Sequence, residues 1–163
     1  MSNLDTLAQA FHAELQDIYS AEQQLVKALP KMVKKAGSET LAAAFEEHLA
    51  QTKVQVERVS SAFDETGKAA KAKKCEAMAG LIKEAEEMMA EEADADVMDA
   101  ILIGLAQKVE HYEIATYGTL CTWAEKLGYK NAKQLLGENL DEEEKTDKLL
   151  TKLSKNVNAA AKA

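Results

Sequence analysis

Apolar side chains return every three or four residues through most of this chain, the spacing that keeps them on one face of a helix. The first stripe is Leu7, Phe11, Leu15, Ile18, Leu25 and Leu29. It predicts a long helix opening near residues 2–5, where Ser2, Asn3 and Asp5 offer capping oxygens. Pro30 predicts a kink or break late in that helix, and Gly37 marks its end. Ser38 and Glu39 open a second helix with Leu41, Phe45, His48, Thr52, Gln55, Val59 and Phe63 inward, stopping at Gly67. The basic, alanine-rich stretch 68–74 reads as a connector. A shorter amphipathic helix follows over 75–91, through Met78, Leu81, Ile82, Ala85 and Met88. The acidic run 91–96 suits the start of a third long helix, because negative charge is favoured at a helix N-terminus. That helix runs to about Leu127 and ends at Gly128, and a fourth covers roughly 130–155. The tail 156–163 carries no stripe and is expected to fray.

Four long helices with two short turns, at Gly37 and Gly128, make two antiparallel hairpins. The long middle connection joins them by a crossover, the topology of ferritin-like bundles. The expected fold class is therefore all-α: a ferritin-like four-helix bundle with a short additional helix in the crossover, as one domain over residues 1–163. Composition agrees. One proline, seven glycines and few aromatic or β-branched residues leave little material for a sheet.

Acids interrupt the stripes. The inward line of the fourth helix reads Leu136, Leu140, Glu143, Asp147, Leu150, and that of the third reads Leu102, Leu105, Val109, Glu113, Thr116, Leu120, Trp123. An unpaired buried carboxylate is too costly to be incidental, so these groups must meet a cation, share a proton or line a wet cavity. Glu22 on the first helix and His48, Thr52 and Gln55 on the second face the same interior. Carboxylates and imidazole together suit Fe, Mn or Zn. The candidate metal ligands are Glu22, His48, Glu113, Glu143 and Asp147, with Glu110 one turn before Glu113 as a ligand or neighbouring partner. Glu14 and Asp17 lie near the same face, and their role stays open. Each has a structural alternative: Glu22 paired with a lysine at the boundary, His48 as a hydrogen-bonded interior histidine, Glu110 on a solvated or interface face. A second row on the third helix, Glu110, Ile114, Tyr117 and Cys121, with Met78, Leu81 and Met88, predicts an apolar patch for a homodimer.

A net charge of −8 argues against a nucleic-acid surface, which needs a basic stripe. No apolar run approaches the roughly 20 residues that span a bilayer. Asp5 and Glu14 interrupt any signal-peptide pattern, and Cys75 and Cys121 stand alone without a Cys-x-x-Cys spacing. Reduced thiols and a cytoplasmic location are the expectation.

Several stretches carry a family resemblance: 15–25 with Asp17 and Glu22, 44–49 with His48, 55–58, 75–78, 108–114 with Tyr117, Gly118 and Thr119, and 140–143 with Asp147. Over about residues 4–155 the chain resembles the YciE/YciF family. The resemblance implies a fold like that of rubrerythrin and other ferritin-like proteins, a bacterial stress role, a compact cytoplasmic dimer and a candidate metal centre. The match to a full di-iron pattern is incomplete. Thr52 and Gln55 occupy the apparent Glu-x-x-His positions of the second helix, and Glu143 is followed three residues on by Thr146. One ion, two ions, a displaced site or no metal at all remain open, as does whether the protein is an enzyme. One reading is a stress protein with one or two Fe or Mn ions in its core, reducing peroxide or oxygen with electrons from a separate donor protein. The other is a non-enzymatic dimer acting through its surface, with the inner acids hydrogen-bonded to His48, Tyr19, Tyr112 or Tyr117.

Overall fold

Helices α1 (Leu7–Lys35), α2 (Glu39–Ala62), α3 (Glu76–Ala90), α4 (Ala95–Leu127) and α5 (Lys130–Ala160) make up almost all of the computed structural model, which describes residues 4–162. A 3₁₀ turn, Phe63–Thr66, extends α2, and no strand occurs among the described residues. The start of α1 is set by Thr6. Its hydroxyl accepts from the Gln9 N–H while the Gln9 side chain accepts from the Asp5 and Thr6 N–H groups, a reciprocal cap. The expected caps Ser2 and Asn3 lie outside the described residues, and Asp5 contributes its backbone. Pro30 does not end α1, which continues to Lys35 because Leu29 and Met32 on either side are buried in the core. Likewise α5 continues past residue 155 to Ala160, with Leu153 and Val157 packed on the core, so the expected frayed tail is mostly helix.

α1 pairs with α2 and α4 with α5 as antiparallel hairpins, and contacts of α2 with α5 and of α1 with α4 close the ring. The α4–α5 turn is made by Gly128, whose φ of 77° is accessible to glycine without strain. The α1–α2 turn works differently from the expected glycine stop. Asp99, buried near the start of α4, accepts the Gly37 and Ser38 N–H groups at 2.7 and 2.8 Å. The approach is close but leaves room: a Cβ added at Gly37 would sit in ordinary contact with Ala95 Cβ at 3.4 Å and Asp99 Oδ2 at 3.5 Å.

The connector 68–75 crosses the outside of α1, where the Lys73 N–H donates to Gln16 O and the Cys75 N–H to Ser20 Oγ. α3 then lies against α1 and α4, with Met78 fully buried and Leu81 and Ile82 packed on the core. Of the seven residues of the expected interface patch, Glu110, Tyr117 and Met78 are buried within the protomer, whereas Ile114, Cys121 and Leu81 are partly buried and Met88 is exposed. The core itself is a continuous set that includes Phe11, Leu15, Ile18, Phe45, Leu102, Leu120, Leu136 and Leu150. Each fully buried side chain of this size contributes about 1.5–3 kcal/mol, which is the reserve against which buried acids are held.

Candidate metal centre

Half-way along the bundle the apolar core gives way to polar side chains from all four long helices. α1 supplies Glu22, α2 supplies His48, Thr52 and Gln55, α4 supplies Glu110, Glu113, Thr116 and Tyr117, and α5 supplies Asn139 and Glu143, all buried. Steps of three and four residues within each helix put them on the inward face. One donor atom from each of His48, Glu110, Glu113 and Glu143 falls within 4.8 Å of the others. His48 Nε2 lies 3.2 Å from Glu110 Oε1 and 3.9 Å from Glu143 Oε2.

Some of these groups are held by neighbours. The Tyr117 hydroxyl donates to Glu22 Oε1, and Asn139 Nδ2 donates to the Tyr117 oxygen at 3.1 Å. Gln55 Nε2 donates to Glu143 Oε1 at 2.5 Å and to Glu142 Oε2 at 3.0 Å. Arg58 clamps the outside of this layer, reaching Asn139 Oδ1 at 3.0 Å, Glu142 Oε2 at 2.8 Å and Glu138 Oε2 at 3.1 Å. The Thr52 hydroxyl is turned back on the His48 carbonyl at 2.8 Å.

Other ligand-type atoms make no hydrogen bond among the described residues: Glu22 Oε2, Glu110 Oε2, both oxygens of Glu113, Glu143 Oε2 and both ring nitrogens of His48. Buried polar atoms left in this state are rare and costly. Electrostatics give the same picture. Burial, then the charge of Glu143, pushes the Glu22 carboxyl up to about 8. Glu110 and Glu113 are raised well above the usual carboxylate range, first by burial and then by Glu143. Burial and the neighbouring Glu22 raise the Tyr117 hydroxyl as well. Without a cation the group holds protons; with one, the same oxygens become ligands. The residues fit a divalent transition metal, because unpartnered anionic oxygens and an imidazole converge without a lysine or arginine among them.

Of the expected site residues, Glu22, His48, Glu110, Glu113 and Glu143 are brought together. Asp147 is not among them. The four-residue step from Glu143 rotates it about 40° around α5, to the seam with α4, where its side chain is 21% exposed and meets His111 Nε2 at 3.3 Å. Leu140 is rotated to the same side and is only partly buried, while Asn139 takes the inward position. Asp17 accepts from the Tyr112 hydroxyl at 2.6 Å, which in turn contacts Cys75 Sγ at 3.0 Å, so it belongs to the α1–α3 contact. Glu14 is half-buried on α1, outside the cluster. The sequence reading missed Asn139 and the Arg58–Glu142 clamp. An Asn four residues before Glu143, in a helix with an apolar residue three before that, was the available signal.

Among the described residues, no helix is long and apolar enough to cross a membrane. A family model described as "Domain of unknown function (DUF892)" matches residues 6–162. Protein YciF of Escherichia coli K12 is 48% identical over 161 residues, covering 98% of this chain and 97% of the relative. The crystal structure of that stress protein superposes with a TM-score of 0.92 at 46% identity, over 96% of this chain and 99% of the other. YcfI of Rhodopseudomonas palustris gives 0.88 at 43% identity, over 91% and 95%. A two-domain protein of Anabaena variabilis with a ferritin-like domain matches at 0.60 and 16% identity, over 99% of this chain and 39% of that one, a likeness of fold alone.

Proposed function

Since this chain belongs to the YciF-type family described as DUF892, we propose that it is a ferritin-like stress-response protein whose core binds one or two Fe or Mn ions. Glu22, His48, Glu110, Glu113 and Glu143 are the ligands in this reading. The observation that carries it is the set of buried, non-hydrogen-bonded ligand atoms converging from α2, α4 and α5, with Glu22 of α1 beside them. A bound redox metal of this kind supplies peroxide or oxygen reduction. The chain's part is to hold it: the Gln55 and Tyr117 bonds fix Glu143 and Glu22 in position, and the surrounding Leu and Phe side chains keep bulk water out. Electrons come from a separate donor protein. The location is the cytoplasm, and the working form is a homodimer, on the family resemblance.

A second reading is favoured by the hydrogen bonds already present. Tyr117 with Glu22 and Gln55 with Glu143, together with carboxyls that retain protons, make a network that holds two of the acids without an ion. The protein then acts through its surface and is not an enzyme. Elemental analysis of protein purified without a chelating tag separates the two. Stoichiometric Fe or Mn, a melting temperature raised by added Fe(II) or Mn(II), and loss of that rise in Glu143→Ala support the metal reading. Metal-free protein whose melting temperature ignores both ions supports the network.

A further inference from the structure

The cluster is buried, so a cation needs a way in, and three of the four seams of the bundle are closed around it. On the α2–α5 side Arg58 ties Glu138, Asn139 and Glu142 together. On the α1–α4 side Tyr117 is bonded to Glu22, and α3 covers the outside with Leu81 and Ile82. On the α1–α2 side Thr52 is fully buried with its hydroxyl bonded to the His48 carbonyl.

The α4–α5 seam differs. His111 directly follows Glu110 on α4, and Asp147 lies one turn after Glu143 on α5. Their side chains meet at 3.3 Å with 69% and 21% exposure, so this imidazole–carboxylate pair is open to water on one side. Gln107 fixes it by donating to Asp147 Oδ1 at 3.1 Å and to Thr151 Oγ1 at 2.9 Å. Behind it stands Glu110, 1% exposed, with Oε2 unpartnered, and the charge of Asp147 acts on that carboxyl.

Resting on the metal reading above, we propose that the His111–Asp147 pair is the capture point at which a divalent cation enters through the α4–α5 seam on its way to the buried cluster. The chemistry matches at each step. A hydrated cation exchanges water for a carboxylate oxygen and an imidazole nitrogen at the surface. The next oxygen of the same kind is the unpartnered Glu110 Oε2, on a carboxyl near enough to feel the charge of Asp147. A partly exposed negative group above buried carboxylates also concentrates cations there.

The test is the rate of loading. Metal-free protein is mixed with Co(II) in a stopped-flow instrument, and uptake is followed by the visible absorbance of the bound ion at low salt. Asp147→Asn, in the seam, and His111→Gln, at the surface, are expected to slow uptake by at least about tenfold. The final absorbance and the rise in melting temperature at saturation should stay those of the parent. Equal rates in parent and variants overturn the route. Equal rates with a lower final absorbance also overturn it, because Asp147 is then a resident ligand instead. A parent that takes up no Co(II) overturns the metal reading and the route with it.

Discussion

Glu22→Gln tests the electrostatic account of the core most directly. In the metal-free protein the Glu22 carboxyl is raised from 4.5 to about 8, by burial first and by Glu143 second. Between those values the folded protein holds a proton that the unfolded chain releases, so folding takes up a proton and stability falls as pH rises. This contribution is fully present below 4.5 and lost as pH passes 8. That interval, at about 1.4 kcal/mol per pH unit, comes to roughly 5 kcal/mol. A domain of this size has only about 5–15 kcal/mol in all, so the metal-free protein is expected to be marginal at pH 8. Glutamine keeps the acceptor for the Tyr117 hydroxyl and supplies an N–H₂ in place of the unpartnered Oε2, without a charge to be buried. Urea unfolding with a chelator at pH 5, 6, 7 and 8 should therefore show the variant gaining on the parent by several kcal/mol across the series. The parent should recover when Mn(II) is added. Parallel curves, with a constant difference at all four pH values, would refute the reasoning.

Asp99→Ala leaves the Gly37 and Ser38 N–H groups without their carboxylate and is expected to lose about 1–2 kcal/mol in thermal unfolding, with metal uptake unchanged because Asp99 lies at the end of the bundle. Arg58→Ala removes the clamp on Asn139, Glu138 and Glu142. It should cost about 2 kcal/mol in urea unfolding and loosen the layer that orients Gln55 and Glu143.

The bundle was legible because its elements are long and each has the same period. The four stripes, the caps near Ser38 and residues 91–96 and the stop at Gly128 all follow from local rules. Position along a helix was read well, but rotation about it less so. Asp147 and Leu140 satisfy a three-and-four spacing as well as Asn139 does, and only packing against α4 decides which of them turns inward. Two members of the second row on α4 turn inward for a related reason. Glu110 and Tyr117 are surplus to one inward stripe, but α4 packs against three helices, α1, α3 and α5, which bury more than one stripe. Asp99 was invisible because its partners are backbone N–H groups 61 and 62 residues away, which leave no mark in the sequence.

The unequal contribution of the helices decides how many ions the cluster can hold well. α1, α4 and α5 each bring anions to it, whereas α2 brings only His48, Thr52 and Gln55. Gln55 occupies one oxygen of Glu143 and Tyr117 one oxygen of Glu22, so each of these acids has a single oxygen left, and only Glu113 has both. His48, Glu110, Glu113 and Glu143 have donor atoms near enough to serve one ion together. Glu22 stands outside that group, and a second ion would have to share Glu113 with it and complete its shell with water. The two equivalents are therefore expected to be unequal. Calorimetric titration with Mn(II) should give a tight first event and a weaker second one, and Glu22→Gln should remove the second while sparing the first. Loss of the first event in Glu22→Gln, or two equivalents of equal affinity in the parent, would contradict this account of which oxygens are free.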